Sequence, residues 1–166
     1  DFTVVFYNTE NLYDTIDDKK VNDSQYLPDA RIPWNTARYN DKLQKIAQVF
    51  SEIDPHDLPS VIGVCEVENK KVLEDLVAQP ELKNGEYQIV HYNSPDRRGI
   101  DVALLYNKSD FTVVKSKTIR VHLPSDTLGP TRDILYVKGF VTNSSRDTLH
   151  IFVNHWPSRR EGQEAS

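Results

Sequence analysis

The stretch Ser60-Val61-Ile62-Gly63-Val64-Cys65-Glu66-Val67-Glu68-Asn69 changes character at Glu66. Ser60 to Glu66 is a short apolar run behind Pro59, with the length and β-branched content of a buried strand. Beyond it, Val72, Leu73, Leu76 and Val77 fall at helical spacing, and Asn69 stands where an N-cap belongs. A strand that runs into a capped helix, with acidic and amide side chains at the junction, is a unit of α/β architecture. In such folds, functional groups collect just beyond strand ends.

On the amino-terminal side, Phe2 to Tyr7 is β-branched and aromatic and reads as another buried strand. Asp14 to Trp34 is polar and punctuated by Asp, Asn and Pro, which makes it a long loop. Leu43, Ile46, Ala47, Phe50 and Ile53 then take helical spacing, with Asn35 or Thr36 as N-cap and Asp54-Pro55 and Leu58-Pro59 as stops. After Pro80 the pattern turns to strands: Tyr87–Tyr92, Asp101–Asn107, Phe111–Leu123, Asp133–Thr142 and Thr148–Asn154. Asn143 to Asp147 joins the last two as a hairpin loop. Helices near the start followed by antiparallel-looking strands predict an α/β sandwich with a mixed sheet. At 166 residues it is expected to form a single domain, and no internal repeat or low-complexity segment interrupts it.

Composition narrows the function. Charged residues make up 27% and hydrophobic residues 38%, which excludes a disordered tail, and runs such as Val102 to Tyr106 are far too short to span a bilayer. A net charge of −5 argues against sequence-independent coating of nucleic acid. It leaves phosphate-ester chemistry open, because a metal ion supplies its own positive field. The single cysteine, Cys65, excludes an internal disulfide and a cysteine-rich zinc site, and its apolar surroundings mark it as a core thiol. No methionine occurs, even at position 1. That is expected of a chain whose leader has been removed, as in periplasmic or extracellular export, or of a piece of a longer product.

Asn8-Thr9-Glu10-Asn11, Glu66-Val67-Glu68-Asn69 and Asn154-His155 stand at three strand ends, and their polar groups suit a common chemistry. Carboxylate and carboxamide oxygens are the ligands Mg²⁺ prefers, and a histidine beside such an ion can donate to a phosphate oxygen as charge accumulates there. Taken singly, each residue has a plainer reading. Glu66 is then an acid near a helix start, Asn8 and Asn11 are turn formers, and His155 is a surface or packing histidine, as are His56, His91, His122 and His150. Arg97-Arg98 and Arg159-Arg160 are then solvated charge. HExxH, GxSxG, P-loop and dinucleotide glycine patterns do not occur.

Five segments in order change these odds. They are Phe6-Tyr-Asn8-Thr-Glu10-Asn-Leu12, Val64-Cys-Glu66-Val-Glu68-Asn69, Asp96-Arg-Arg-Gly-Ile-Asp101-Val-Ala-Leu-Leu-Tyr106, Thr131-Arg132-Asp133 and Asn154-His155-Trp-Pro157. Together they resemble the amino-terminal part of the endonuclease/exonuclease/phosphatase family, over Phe2 to about Arg160. The resemblance implies the first half of a four-layer α/β sandwich with mixed, mostly antiparallel sheets. It also implies hydrolysis of phosphate esters by in-line attack of water, using Mg²⁺ or Mn²⁺.

By that resemblance Glu66, Asn8 and Glu10 belong to the metal site. His155 is expected to contact the scissile phosphate as a catalytic residue together with Asn154, with Asp101 expected within hydrogen-bonding distance to orient it. Arg132, with Arg98 and Arg159, is expected to attract substrate phosphate. The family's Gly-Asp-Phe-Asn and Asp-His motifs are absent. The groups that handle the attacking water are therefore expected on a carboxy-terminal half, as a second fragment or segment covering an exposed apolar sheet face, and residues 1–166 alone are expected to be inactive. The substrate is expected to be a small phosphodiester, nucleotide, phospholipid or DNA, with no transmembrane contact. The alternative is a non-catalytic module that binds a phosphorylated ligand or a protein through a partial metal site.

Overall fold

The computed structural model describes residues 1–54, 56–122, 130–142 and 146–156. Its elements run β1 (Val4–Leu12), α1 (Thr36–Ser51), β2 (Val61–Val67), α2 (Lys70–Val77), β3 (Tyr87–His91), β4 (Asp101–Asn107), β5 (Phe111–Ile119), β6 (Ile134–Val141) and β7 (Thr148–Val153). A four-stranded sheet has the order β1-β2-β4-β3, and a three-stranded sheet the order β5-β6-β7. β1 and β2 are parallel, joined through α1, and every other pair is antiparallel. This is the mixed, mostly antiparallel α/β arrangement expected. Three layers are present among the described residues: helices, first sheet, second sheet.

Side-chain alternation along β2 builds both interfaces. Ile62, Val64 and Val67 pack with Leu43, Ala47 and Phe50 of α1 and Leu73 and Leu76 of α2. Val61 and Cys65 face the other way, against Leu135, Val137 and Val153 of the second sheet. A strand buried on both faces reads as a continuous apolar run, which is why β2 has no polar face in the sequence. Asn35 caps α1 by accepting from the Arg38 N–H at 3.1 Å, and Asn69 caps α2 by accepting from Val72 N–H at 3.0 Å.

Most boundaries shift by one or two residues, α1 ending at Ser51 so that Ile53 lies exposed beyond it, and two depart further. β1 extends to Leu12, because its ladder with β2 runs through Asn8 and resumes at Leu12 after a bulge. β5 ends at Ile119; Leu123 lies outside the described residues, as does the hairpin tip at 143–145. The expected broad apolar sheet face is also narrower than anticipated. The outward side of the second sheet carries Lys115, Lys117 and Lys138 among Ile119, Tyr136 and Phe152. Val4 and Phe6 are exposed along β1. Among the described residues no helix is long and apolar enough to cross a membrane.

The long loop after β1 is tied to the sheet rather than loose. Tyr13 stacks on Tyr26, with ring centroids 4.0 Å apart, and Trp34 donates its indole N–H to the Tyr13 carbonyl at 3.0 Å. Glu68, buried at the end of β2, accepts from the Asp14 N–H at 2.8 Å. Burial, followed by the nearby charges of Asp14, Asp23 and Asp18, pushes the Glu68 carboxyl up to about 7, against the opposing effect of the Asp14 N–H bond.

Packing and burial set two expected outcomes. A Cβ added at Gly139 of β6 would lie 2.3 Å from the Phe111 ring and 2.5 Å from the Thr112 carbonyl oxygen, whereas one added at Gly63 meets nothing closer than 3.3 Å. Gly139→Ala is therefore expected to cost about 1–3 kcal/mol in urea unfolding and Gly63→Ala well under half of that; equal costs would contradict the packing. For Glu68, the raised carboxyl favours its neutral form in the folded chain. Its contribution is fully present below the ordinary carboxylate range near 4.5 and is lost as pH rises through about 7. Between pH 5 and pH 8 the wild type should lose on the order of 2 kcal/mol that Glu68→Gln keeps. Parallel stability profiles for the two proteins would refute the assignment.

Candidate active site

The site forms where β1 and β2 leave their ladder together. Asn8 pairs with Cys65, the register breaks, and pairing resumes at Leu12 with Val67; β2 shows a matching break against β4 between Cys65 and Val67. The residues inside the bulges take left-handed backbone, with φ 53° at Glu10, 64° at Asn11 and 62° at Glu66. Such conformations cost non-glycine residues energy and collect at sites where a side chain must be re-aimed. The Thr9 hydroxyl joins the two bulges, lying 2.9 Å from both the Cys65 and the Glu66 carbonyl oxygens.

The re-aimed Glu66 meets the end of the second sheet. Its Oε1 lies 3.3 Å from His155 Nε2, and both side chains are partly exposed. Asn8 belongs to the same side of the first sheet. Phe6, two residues earlier, approaches Gly63 together with Val153 of β7, and alternation points Asn8 the same way. The Asn8 side-chain oxygen accepts from the Glu10 N–H at 2.8 Å, which holds the turn. Glu10 itself lines a groove between β1 and α1 with Trp34, Arg38 and Lys42, and its carbonyl oxygen accepts from the Lys42 ammonium. Burial lowers the Lys42 ammonium, opposed by the charges of Glu10 and Glu66.

His155 is half-buried, and burial, with the Arg132 cation second, lowers its imidazole below the ordinary histidine value. Its Nδ1 is buried with no hydrogen-bond partner among the described residues. A neutral ring protonated on Nε2 suits both facts: Nε2–H faces Glu66, and Nδ1 keeps only a lone pair. Asn154 turns its amide back to the Phe152 carbonyl at 3.2 Å.

Asp101 does not orient His155, contrary to expectation. Its carboxylate accepts from the Ser94 N–H at 2.8 Å and meets His91 Nε2 at 2.9 Å, in a pair almost wholly buried. The reason is strand parity. Asp101 shares a face with Ala103 and Leu105, which pack toward the helices, whereas His155 follows β7 on the opposite side. His91 pairs with Ala103 across the β3–β4 ladder, so Asp101 is its diagonal neighbour.

Arg132 also differs from expectation. It is 7% exposed, and its guanidinium faces inward: Nε and Nη2 donate to the His155 carbonyl at 3.1 and 2.8 Å, and Nη1 to Asp96 at 3.0 Å. It acts on the backbone of His155 instead of projecting toward a substrate. Arg98 is half-exposed beside Asp96, at 3.4 Å, and remains the outward-facing arginine near His155. Arg159 lies outside the described residues. Sequence reasoning missed Asp96, Thr9 and His91. Asp96 had one legible signal, an aspartate three residues before Gly99 in a polar turn; the other two depend on cross-strand register.

The residue types suit a hard cation, although Glu10 stands in the groove beside α1 and Asn8 on the side of the second sheet. Glu66, Asn8 and Glu10 offer oxygens only, and the thiol at Cys65 is buried and pushed up to about 12, chiefly by that burial. Among the described residues no three His, Cys, Asp or Glu side chains converge as a closed metal cluster. An ion that keeps several waters needs no such closed set.

Solved structures share this architecture. An endonuclease/exonuclease/phosphatase family protein from Bacteroides thetaiotaomicron is similar at 18% identity and TM-score 0.54, over 91% of this chain and 48% of that one. ANGEL2, a 2′,3′-cyclic phosphatase in complex with adenosine-2′,3′-vanadate, is similar at 14% identity and TM-score 0.56, over 91% and 40%. Mannosyl-6-phosphatase from Bacteroides thetaiotaomicron VPI-5482 is similar at 20% identity and TM-score 0.52, over 92% and 50%. The chain thus spans about half the length of the solved structures it matches. No curated protein matches it in sequence. The sequence model described as the Endonuclease/Exonuclease/phosphatase family matches residues 3–166, and the chain belongs to that family.

Proposed function

We propose that this chain supplies the cation-holding and phosphate-contacting half of a phosphoric ester hydrolase dependent on Mg²⁺ or Mn²⁺. The observation that carries the reading is the meeting of Glu66 and His155. Two side chains from different sheets approach within 3.3 Å, one of them on left-handed backbone. Names of structural relatives, a 2′,3′-cyclic phosphatase and a mannosyl-6-phosphatase, support phosphate esters as the substrate class. Within that class the substrate we propose is a small phosphodiester, nucleotide, phospholipid or DNA.

In this reading Glu66, Asn8 and Glu10 hold the cation. When bound, it polarises a non-bridging phosphoryl oxygen and offsets the charge that develops there. His155, carrying its hydrogen on Nε2, would donate a hydrogen bond to a phosphoryl oxygen as charge builds there and keep that hydrogen. Arg98 attracts the phosphate at the rim. Orientation of the attacking water is assigned to the part of the relatives' length that this chain does not span. Residues 1–166 are then expected to bind metal and phosphate without turnover.

The test is a hydrolysis panel of mono- and diester substrates, with the longer protein and with residues 1–166, in Mg²⁺ or Mn²⁺. Glu66→Gln is expected to lower kcat of the longer protein by about 100-fold or more while barely moving its thermal stability. Full activity of Glu66→Gln would overturn the metal assignment. Absence of hydrolysis across the panel, with tight phosphate-dependent binding retained, would favour the binding-module alternative. Residues 1–166 turning over as fast as the longer protein would refute the division of labour.

A further inference from the structure

We propose that Asp96 and Arg132 form a positioning pair that holds His155 over Glu66, so the β3–β4 loop sets the geometry of the phosphate-contacting histidine. The inference rests on the hydrolase reading above. His155 lies two residues beyond Val153, the last residue of β7 paired to β6, so no ladder bond fixes its backbone. Its ring is not fixed in the common way either, because among the described residues Nδ1 has no partner, and the Glu66 contact is long. What holds it is the main chain. The His155 carbonyl receives two hydrogen bonds from one guanidinium, Nε at 3.1 Å and Nη2 at 2.8 Å.

A guanidinium is planar, so fixing a third nitrogen fixes the direction of the other two. Asp96 does this, taking Nη1 at 3.0 Å with both side chains buried. Asp96 is itself locked: its other oxygen accepts from the Arg98 N–H at 2.9 Å, and its carbonyl accepts from Gly99 N–H at 3.0 Å. Gly99 closes that turn at φ 68°, where a Cβ would strike Val21. The turn is held at its other end by Asp101, through the Ser94 N–H and His91. A rigid path therefore runs from the first sheet through the loop to the histidine that leaves the second sheet. The buried ion pair is a device of placement rather than a source of net stability.

The experiment measures His155 directly, in metal-free protein, by the NMR contact between its ring protons and the Glu66 side chain. Wild type should show that contact. Arg132→Lys keeps a cation against Asp96 but cannot make the planar fork, and Asp96→Asn loosens the guanidinium. In both, the contact should lose most of its intensity while the β-sheet amide signals stay in place. A contact of unchanged intensity in folded Arg132→Lys overturns the proposal, and that variant carries the test should Asp96→Asn fail to fold. Added Mn²⁺ alone then separates the two readings. Wild-type amides of Glu66 and Asn8 that fail to broaden count against the metal site, whereas the ring contact reports on the pair regardless. In the longer hydrolase, both substitutions should lower kcat by about 100-fold with KM changed less than about threefold, as misplacement of a group acting in the transition state does. A change confined to KM counts against a positioning role.

Discussion

The Thr9 hydroxyl, shared between the Cys65 and Glu66 carbonyl oxygens, sits where two parallel strands abandon their ladder in step. The break is uneven: Thr9, Glu10 and Asn11 of β1 stand opposite Glu66 alone on β2. Thr9, inside that break, offers its hydroxyl to both carbonyl oxygens. The consequence is the left-handed backbone at Glu66, without which its side chain would follow the alternation of β2. The aim of Glu66, the placement of Asn8 and the restart of pairing at Leu12 all depend on this local break.

Much of the scaffold was legible because it obeys simple periodicities. Leu43, Ile46, Ala47 and Phe50 recur at helical spacing and are all buried, and Asn35 and Asn69 cap the helices they precede. The β4 boundaries, Asp101–Asn107, follow from an apolar run between polar turns. The Glu66 and His155 positions were legible for a different reason, through motif order rather than any spacing between them. No local pattern joins residues so far apart in sequence. Their proximity arises only when the second sheet folds back over the first.

The illegible parts share one cause. Whether Asp101 faces His155 or His91 is a question of strand parity relative to a second sheet, and the sequence contains no register for sheets that pack face to face. The same holds for Arg132, which in sequence is one more surface-type cation. Its burial is decided by a turn containing Asp96, on the far side of β4 in chain order. Polar residues enclosed by tertiary contacts are where reasoning from composition fails, because their partners come from other elements.

On the proposed hydrolase reading, a chain of net charge −5 must create its positive field for phosphate locally. It does not do so with surface lysines near Glu66, where Lys42 is engaged by main-chain carbonyls of β1. Arg132 is a buried cation behind His155, paired on one side with Asp96 and turned toward the His155 carbonyl on the other. Burial, with the Arg132 cation second, lowers the His155 imidazole below its ordinary value, and the mouth of the site is left to side-chain oxygens. In this reading attraction of the ester falls to the cation bound there, and the protein's own charges are arranged to hold groups still rather than to draw the substrate in.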